Sequence, residues 1–475
     1  MVVIGTVPTT EHDVVVVGAG IAGLAAALEA AEAGAQVLVL EKAPAAERGG
    51  NTRFSDAQIR YPHAADEYSP VSTTPAEFRA DFLRVTQHRA DPVLVDTLVA
   101  HAAEAVDWLT AHGVRWSAGF PHTATYRRRP EGGGRGLVET LFAALERRPN
   151  VAIRYETAAR SLLQAANGAV VGVRALGPAG FLDAHARGGV VLACGSYAAN
   201  PELRVRYLGP WAEQLIVRGT RYNTGEGLLM ALAAGAQATG QWGDYHSAVL
   251  DAHSPRVECG VTAIYIYQLG IIVNRRGERF LDEGEDFRDN TYVKFSKAIV
   301  QQPGGIAYCV FDQQARRDPG WDRAVRTITP PLEADTHEAL AERMGVPIAT
   351  YVETVRRYNA AVDRARPFDP DRLDGKAARG IEPPKSNWAL PLEEPPYLAF
   401  AVTGGITFAF GGLKTDAAGR VLDTRGRVIP GLYAAGETQG DFYYDNYPGA
   451  TSVLRGCVFG RLAGRDAAQR ARARR

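Results

Sequence analysis

HDVVVVGAGIAGLAAALEAAEAGAQVLVLEKA, residues 12–43, contains a complete strand–turn–helix–strand pattern. The four valines Val14–Val17 form a run that is apolar on both faces, as a buried strand of a parallel sheet requires. An alanine-rich helical segment follows and ends near Gly34, a residue typical of helix C-termini. The segment AQVLVL, residues 35–40, then predicts a second strand. The stretch therefore predicts a βαβ unit.

The turn before the helix carries the spacing G-x-G-x-x-G at Gly18, Gly20 and Gly23. The first glycine allows the tight turn, the second lets the backbone approach a pyrophosphate, and the third allows close packing of helix and strand. The helix N-terminus offers free N–H groups to phosphates. Glu41 follows the second strand, where an acidic side chain accepts hydrogen bonds from ribose hydroxyls. The glycines alone fit an ordinary βαβ turn, but the whole pattern favours a dinucleotide site.

Composition restricts the class of protein. The chain has 475 residues, enough for two or three domains, and its 53 basic side chains balance 53 acidic ones. No net field therefore favours nucleic acid or an anionic membrane. No apolar run reaches the ~18 residues of a membrane span, and the N-terminus lacks a signal-peptide pattern. We expect a cytoplasmic protein with no nucleic-acid partner and no integral membrane contact.

The four cysteines, Cys194, Cys259, Cys309 and Cys457, are far apart in sequence. Because no C-x-x-C pair is present, the sequence predicts no metal site, iron–sulfur cluster or redox disulfide. Each cysteine is expected to be a small buried apolar residue.

Further motifs follow the βαβ unit in order: GGNT (49–52), VVLACG (190–195), TGEG (224–227), GLYAAGE (431–437) and FGRLAG (459–464). This series resembles the fumarate reductase/succinate dehydrogenase flavoprotein superfamily over nearly the whole chain. The stretches ERGGNTRF, GGITFAFGGLKTD and NYPGATS resemble its tricarballylate dehydrogenase branch in particular. The resemblance implies an α/β fold with a Rossmann-like (doubly wound) FAD-binding domain, formed by residues 1–245 and 399–475. An α+β capping domain over the substrate would be inserted at 246–398, where the sequence becomes charge-rich and proline-punctuated.

The resemblance also implies FAD and the residues that bind it. These are Gly18, Gly20, Ala22, Gly23, Glu41 and Lys42 for the ADP half; Gly49, Gly50, Asn51 and Thr52 for the pyrophosphate and flavin edge; Ala193, Gly195 and Gly227 along the cofactor channel; Gly436 and Glu437 at the ribitol; and Ser452 and Val453 at the N-terminus of the last helix. That helix end would stabilise negative charge on the reduced flavin, and Ser452 would cap it. Succinate dehydrogenases attach flavin to a histidine near the Gly-Gly segment. Between residues 1 and 52 this chain has only His12, which precedes the first strand, so we expect non-covalent FAD.

The superfamily interconverts CH–CH and C=C bonds by hydride transfer at flavin N5 and proton transfer at the adjacent carbon. Arg288, in DEGEDFRDN, matches the arginine that shuttles this proton in fumarate reductases. The alternative is a salt-bridged arginine among neighbouring acids. His246 resembles the family histidine that binds a substrate carboxylate, although a lone histidine is also a common structural residue. The catalytic candidates are therefore Arg288, His246 and Tyr447.

Tyr447 is a candidate because this chain differs from fumarate reductases at positions that bind the substrate. Tyr447 stands where those enzymes have an arginine that clamps a carboxylate, and Thr407 stands where they have a histidine. The segment AIYIYQLG (263–270) replaces their Glu and Arg proton relay. Because charge-assisted carboxylate contacts are strong, these losses argue against fumarate or succinate. Tyr447 also resembles the tyrosine of 3-ketosteroid dehydrogenases that binds a ketone.

The remaining substrate-binding candidates are Phe408, Tyr443, Tyr444 and Thr451. The sequence predicts an FAD-dependent dehydrogenase or reductase that acts on a small molecule, a tricarballylate-like polycarboxylate, with an unidentified electron acceptor. The alternatives are a ketone-activated cyclic or larger substrate, an oxidase of the aspartate oxidase type, and a binding module with structural flavin.

Overall fold

The computed structural model describes residues 7–68, 71–119, 127–260 and 262–475. These residues form two compact units. The first contains the described residues up to 119 together with 127–245 and 407–475. The second contains the described residues between 246 and 406.

The helices, in chain order, are α1 Ile21–Glu32, α2 Gly50–Arg53, α3 Pro75–Val85, α4 Pro92–Ala111, α5 Gly133–Glu146, α6 Pro201–Leu208, α7 Glu226–Ala233, α8 Arg288–Val300, α9 Gln313–Arg316, α10 Trp321–Ala324, α11 His337–Met344, α12 Ile348–Ala361 and α13 Ser452–Arg472.

The strands are β1 Thr9–Val17, β2 Val37–Leu40, β3 Trp116–Ala118, β4 Arg128–Pro130, β5 Val151–Arg154, β6 Ala158–Gln164, β7 Val170–Gly177, β8 Gly180–Leu192, β9 Ile216–Val217, β10 Ala238–Asp251, β11 Ala263–Ile264, β12 Ile271–Asn274, β13 Ala307–Phe311, β14 Val325–Arg326, β15 Leu332–Ala334, β16 Tyr397–Leu413, β17 Arg420–Leu422 and β18 Val428–Ala434.

The first unit is built on a sheet in which β18, β8, β1, β2 and β5 are parallel neighbours in that order. Val14 lies opposite Val37 on one side and Gly189 on the other. Residues Val14–Val16 are completely buried, as their continuous apolar run predicts. The predicted βαβ unit and the α/β class are therefore confirmed.

Helices α1 and α13 pack closely in this unit because α13 has glycines at every fourth position. A Cβ at Gly460 would lie 2.3 Å from the Ala22 carbonyl oxygen, and one at Gly464 would lie 2.3 Å from that of Ala26. Substitution at either glycine would push the two helices apart. The glycines of the last helix thus allow close helix packing within the first unit.

The short strands between 151 and 192 differ in part from the simple meander that their alternating pattern predicts. Strands β6, β7 and β8 do form an antiparallel meander. Strand β5 instead pairs in parallel with β2, because its residues extend the central sheet after helix α5. Strands β17 and β18 form an antiparallel hairpin, and Asp416 and Asp423 accept backbone N–H groups in the turns beside it.

In the second unit, β12, β13, β16 and β15 pair antiparallel in that order. Tyr351 and Tyr358 of α12 pack in the same core as Val273 and Val310. A buried ion pair joins Arg279 to Glu283. The unit therefore has the mixed helix and strand content predicted for it. None of the helices described in either unit combines the length and apolarity that crossing a membrane requires.

Candidate active site

The turn between β1 and α1 forms an open backbone cradle. Gly18 has a φ of +95°, and a Cβ at Gly23 would lie 1.9 Å from the Gly18 carbonyl oxygen. At Gly20 the nearest atoms to an added Cβ are the Thr52 hydroxyl oxygen at 3.6 Å and the Gly49 carbonyl oxygen at 3.8 Å, so the space beside this backbone is open. Within the described chain, the amides of Ala22 and Gly23 have no hydrogen-bond acceptor. Free amides at a helix N-terminus suit the phosphates of a dinucleotide.

The GGNT segment lies against this cradle. Gly49 and Gly50 both have positive φ, +107° and +54°, which favours glycine at each position. The Thr52 hydroxyl accepts a hydrogen bond from the Ile21 amide at 3.1 Å. The structure thus brings the predicted pyrophosphate segment next to the first turn of α1.

Glu41 is held at the end of β2 by two backbone amides. Its Oε2 accepts from the Ala19 amide at 2.9 Å and its Oε1 from the Ala43 amide at 2.8 Å. Burial raises the pKa of this carboxyl above its ordinary value. Because each carboxylate oxygen has a further lone pair, Glu41 can still accept bonds from ribose hydroxyls. Lys42, in contrast, is paired with Glu226 at 2.7 Å.

Glu437 is the centre of a polar network. Its Oε1 accepts from the Ser196 hydroxyl at 2.9 Å, and its Oε2 accepts from the Asn223 side-chain amide at 2.9 Å. Asn51 donates to the same Oε2 at 3.4 Å and accepts from the Thr220 amide at 2.9 Å. Desolvation raises the pKa of Glu437 to about 7. Sequence reasoning missed Ser196 and Asn223, although both directly neighbour motifs that it identified.

The other small residues predicted along the cofactor channel also surround the cradle. A Cβ at Gly18 would lie 2.6 Å from the Ala193 carbonyl oxygen, and one at Gly436 would lie 2.8 Å from the Ala22 Cβ. A Cβ at Gly195 would lie 2.5 Å from Asn223 Oδ1. Gly227, in the first turn of α7, faces the Cys194 sulfur, which would be 2.0 Å from an added Cβ. The chain therefore approaches itself here at distances that larger side chains would prevent.

The N-terminus of α13 is capped by a tyrosine and not by the predicted serine. The Tyr447 hydroxyl accepts hydrogen bonds from the Thr451 and Ser452 amides, both at 3.0 Å, and donates to Ser452 Oγ at 3.0 Å. The prediction that Ser452 caps the helix is wrong because Ser452 is the first helical residue, so its own amide needs a cap. Val453 is buried behind it. A role of Tyr447 in substrate binding stays a prediction.

Tyr443 lies at the centre of a buried ring cluster, called here the Tyr443 cluster: Phe408, Phe410, Tyr443 and Tyr447. The centroid of the Tyr443 ring lies 5.7 Å from that of Phe408, 5.9 Å from Phe410 and 5.0 Å from Tyr447. Its hydroxyl lies 3.1 Å from Thr451 Oγ1, and burial raises its pKa. The structure thus gathers most of the predicted substrate-binding residues.

Tyr444 has a different environment. Its hydroxyl donates to Asp441 Oδ1 at 2.8 Å, and its ring lies beneath Arg89, 4.6 Å from the guanidinium carbon. Asp441 also forms an ion pair with Lys414 at 2.6 Å. Asp441 and Asp445 have φ of +66° and +60°, a strained conformation that such contacts help to hold. Tyr444 thus anchors the loop by its contacts, and its predicted substrate role stays a prediction.

The second unit brings two predicted catalytic residues into one cluster. Arg288, at the start of α8, donates to Asp289 Oδ1 at 2.9 Å and lies 4.9 Å above the Tyr265 ring. His246 Nε2 lies 2.7 Å from the Tyr292 hydroxyl. The Tyr265 and Tyr292 rings meet edge to face at 6.3 Å. Both tyrosines were missed, although Tyr292 follows Arg288 by one helical turn, so the two share a face of α8.

The family profile described as FAD binding domain matches residues 13–454. The chain belongs to this family. It is 31% identical to "Fumarate reductase (cytochrome)" of Shewanella frigidimarina, an alignment that covers 98% of this chain and 78% of that protein. It is also 31% identical to urocanate reductase of Eggerthella lenta, covering 97% of this chain and 75% of that protein.

A solved structure, 3-ketosteroid-Δ4-(5α)-dehydrogenase of Rhodococcus jostii RHA1, matches with a TM-score of 0.76 and 26% identity, covering 98% of both chains. The chain is therefore a member of the fumarate reductase/succinate dehydrogenase flavoprotein superfamily, as its motifs predict. It is an FAD-dependent oxidoreductase that acts on CH–CH or C=C groups. The glycine cradle, the free α1 amides and Glu41 fit this cofactor.

Proposed function

We propose that this flavoprotein interconverts CH–CH and C=C bonds beside a carboxylate, with a tricarballylate-like polycarboxylate as its substrate. The observation that carries the proposal is the cluster of His246, Tyr265, Arg288 and Tyr292 in the second unit. When bound, FAD accepts or supplies a hydride at N5. The protein must then bind the carboxylate and move one proton at the neighbouring carbon.

Arg288 is the proposed proton donor in the reductive direction. Its guanidinium stays protonated at neutral pH, so a proton is always available. The bond to Asp289 and the Tyr265 ring beneath it restrict its orientation, which is what directed proton transfer requires. Its 4% exposure keeps bulk water from competing for the same proton.

His246 is the proposed carboxylate-binding residue. The 2.7 Å contact with the Tyr292 hydroxyl engages Nε2 and fixes the orientation of the ring. Two relatives support a carboxylate substrate, because fumarate and urocanate both carry a carboxylate conjugated to a C=C bond. The tricarballylate-like structure of the substrate is supported by the branch motifs around Gly49 and Tyr447.

A ketone-activated cyclic substrate is the second candidate, and the buried Tyr443 cluster favours it. The similarity to a ketosteroid dehydrogenase structure supports this alternative. However, the Tyr447 hydroxyl already donates its single proton to Ser452 Oγ, so a ketone would have to compete for that proton. This competition makes the carboxylate the better candidate.

The test is anaerobic addition of tricarballylate, succinate or 4-androstene-3,17-dione to the oxidised flavoprotein, followed by absorbance near 450 nm. We expect tricarballylate to bleach the flavin; bleaching by the steroid alone would contradict the proposal and establish the second candidate. Peroxide formation in air would indicate an oxidase. We also propose that FAD is non-covalent, so acid precipitation should leave the flavin in the supernatant, and yellow pellets would contradict this.

A further inference from the structure

Arg455, in the first turn of α13, is a buried cation without an anionic partner. It keeps 4% of its surface exposed. Its guanidinium carbon lies 5.0 Å from the centre of the Phe442 ring and 4.7 Å from that of Tyr443. Among the described residues, nothing accepts a hydrogen bond from the guanidinium and no carboxylate pairs with it. Two aromatic faces are thus its main support.

Two other buried arginines, Arg461 and Arg279, have acidic partners. Arg461, farther along α13, lies 2.9 Å from Glu29 and 2.7 Å from Glu104. Arg279 is paired with Glu283. Arginine does not lose its proton in proteins, so a buried guanidinium needs acceptors for its five N–H groups. Cation–π contacts offset part of the lost hydration but accept none of these hydrogen bonds in the guanidinium plane.

The position of Arg455 connects it to the candidate active site. Tyr443, one of its two aromatic supports, is the centre of the Tyr443 cluster. The positive charge of Arg455 also acts on Glu437, where it opposes the rise in pKa caused by desolvation. Its Nε is fully enclosed and has no hydrogen-bond partner, whereas its two terminal nitrogens are not fully enclosed. The charged end of the side chain is therefore the part that a small ligand can reach.

We propose that Arg455 binds a carboxylate group of the substrate. The inference rests on the proposed function, which supplies a small carboxylate as ligand. The planar guanidinium matches a carboxylate in a bidentate arrangement, which a neutral ketone cannot provide. Tyr447 and Thr407 stand at two positions where fumarate reductases have cationic or carboxylate-binding side chains. Arg455, on helix α13, thereby supplies a cation that these two positions lack. The Phe442 and Tyr443 faces hold the guanidinium in place before the ligand arrives.

The experiment uses the FAD-loaded full chain and malonate as the probe. Malonate has no CH–CH bond to oxidise, so its binding is measured without turnover, by calorimetry and by its effect on the flavin spectrum. We expect the wild type to bind malonate and not its neutral dimethyl ester. Arg455→Met should raise the Kd at least 30-fold, and Arg455→Lys should raise it less. Arg89→Met is the control, because Arg89 also lies over a tyrosine of this loop but is already paired with Asp445.

An unchanged malonate Kd in Arg455→Met would overturn the inference, as would failure of the wild type to bind malonate. Loss of FAD from Arg455→Met and Arg455→Lys would overturn it too, because it would show a cofactor or structural role. If Arg455→Met does not fold, an unchanged malonate Kd in Arg455→Gln, which also removes the positive charge, would overturn the inference instead. Malonate binding that depends on Arg455, in a protein that no carboxylate bleaches, would leave the anion site standing and refute only the proposed reaction.

Discussion

Replacing Tyr447 with phenylalanine tests whether this hydroxyl caps helix α13. The substitution keeps the ring, which contacts Phe408 and Tyr443, and removes the hydroxyl that accepts from the Thr451 and Ser452 amides and donates to Ser452 Oγ. Each lost bond to a buried amide removes about 1–1.5 kcal/mol of net stability, so we expect a loss of about 2–3 kcal/mol. For a unit of roughly 300 residues, with an unfolding entropy of about 2.1 cal/mol/K per residue, that corresponds to a fall of about 3–5 °C in Tm.

The assay is thermal unfolding followed by circular dichroism, with Tyr443→Phe as the matched control. Among the residues that the structure describes, the Tyr443 hydroxyl has a hydrogen bond only with the Thr451 hydroxyl, which keeps its own acceptor at the Pro448 carbonyl. We therefore expect the control to lose less than half as much stability. A Tm of Tyr447→Phe within about 1 °C of the wild type, together with a large rise in KM, would refute capping and support direct substrate binding.

Three further predictions concern proton transfer, Glu437 and the cradle. Arg288→Ala should bind FAD normally and lose turnover, while Arg288→Lys retains part of it; full turnover in Arg288→Ala would contradict the proposed donor. Glu437 has an ordinary pKa of 4.5 when unfolded and one of about 7 when folded, so the folded state binds its proton more tightly. Stability should therefore fall as pH rises from about 4.5 to about 7, and urea unfolding of Glu437→Gln should lack that dependence. Gly20→Ala should leave the Tm of the FAD-free protein unchanged, because its Cβ has 3.6 Å of space, but weaken FAD binding about tenfold or more. Gly23→Ala should instead lower the Tm of the FAD-free protein, because its Cβ would meet the Gly18 carbonyl oxygen at 1.9 Å. Equal Tm for these two glycine variants would show that the cradle geometry is wrong.

The features that the sequence predicts best are local ones. Gly18, Gly20 and Gly23 act within one turn, and Glu41 follows the strand next to it, so spacing alone indicates the βαβ cradle. The apolar run Val14–Val17 likewise specifies a strand buried on both faces. Such features need no knowledge of distant contacts.

The polar network of Glu437 shows what local reading cannot supply. Ser196 and Asn223 are separated from Glu437 by 241 and 214 positions, and only the folded sheet brings them to its carboxylate. The prediction that Ser452 caps α13 is wrong for a related reason. Serine near a helix start is a strong capping signal, but here the loop folds back so that Tyr447 takes that role.

Arg455 illustrates a third kind of limit. In sequence it belongs to a basic helix that ends in several arginines, and such residues are usually solvated. Its burial between Phe442 and Tyr443 depends on the path of the loop before the helix. The absence of a carboxylate partner among the described residues becomes visible only once every neighbour has a position.

The most direct test of the proposed function is one anaerobic turnover with tricarballylate, followed by flavin absorbance and by mass spectrometry of the product. We expect bleaching of one flavin per chain and a product lighter by two hydrogens, with both signals lost in Arg288→Ala. A fully FAD-loaded protein that dithionite reduces, but that neither tricarballylate nor any other carboxylate tested bleaches, would contradict carboxylate oxidoreduction as its function.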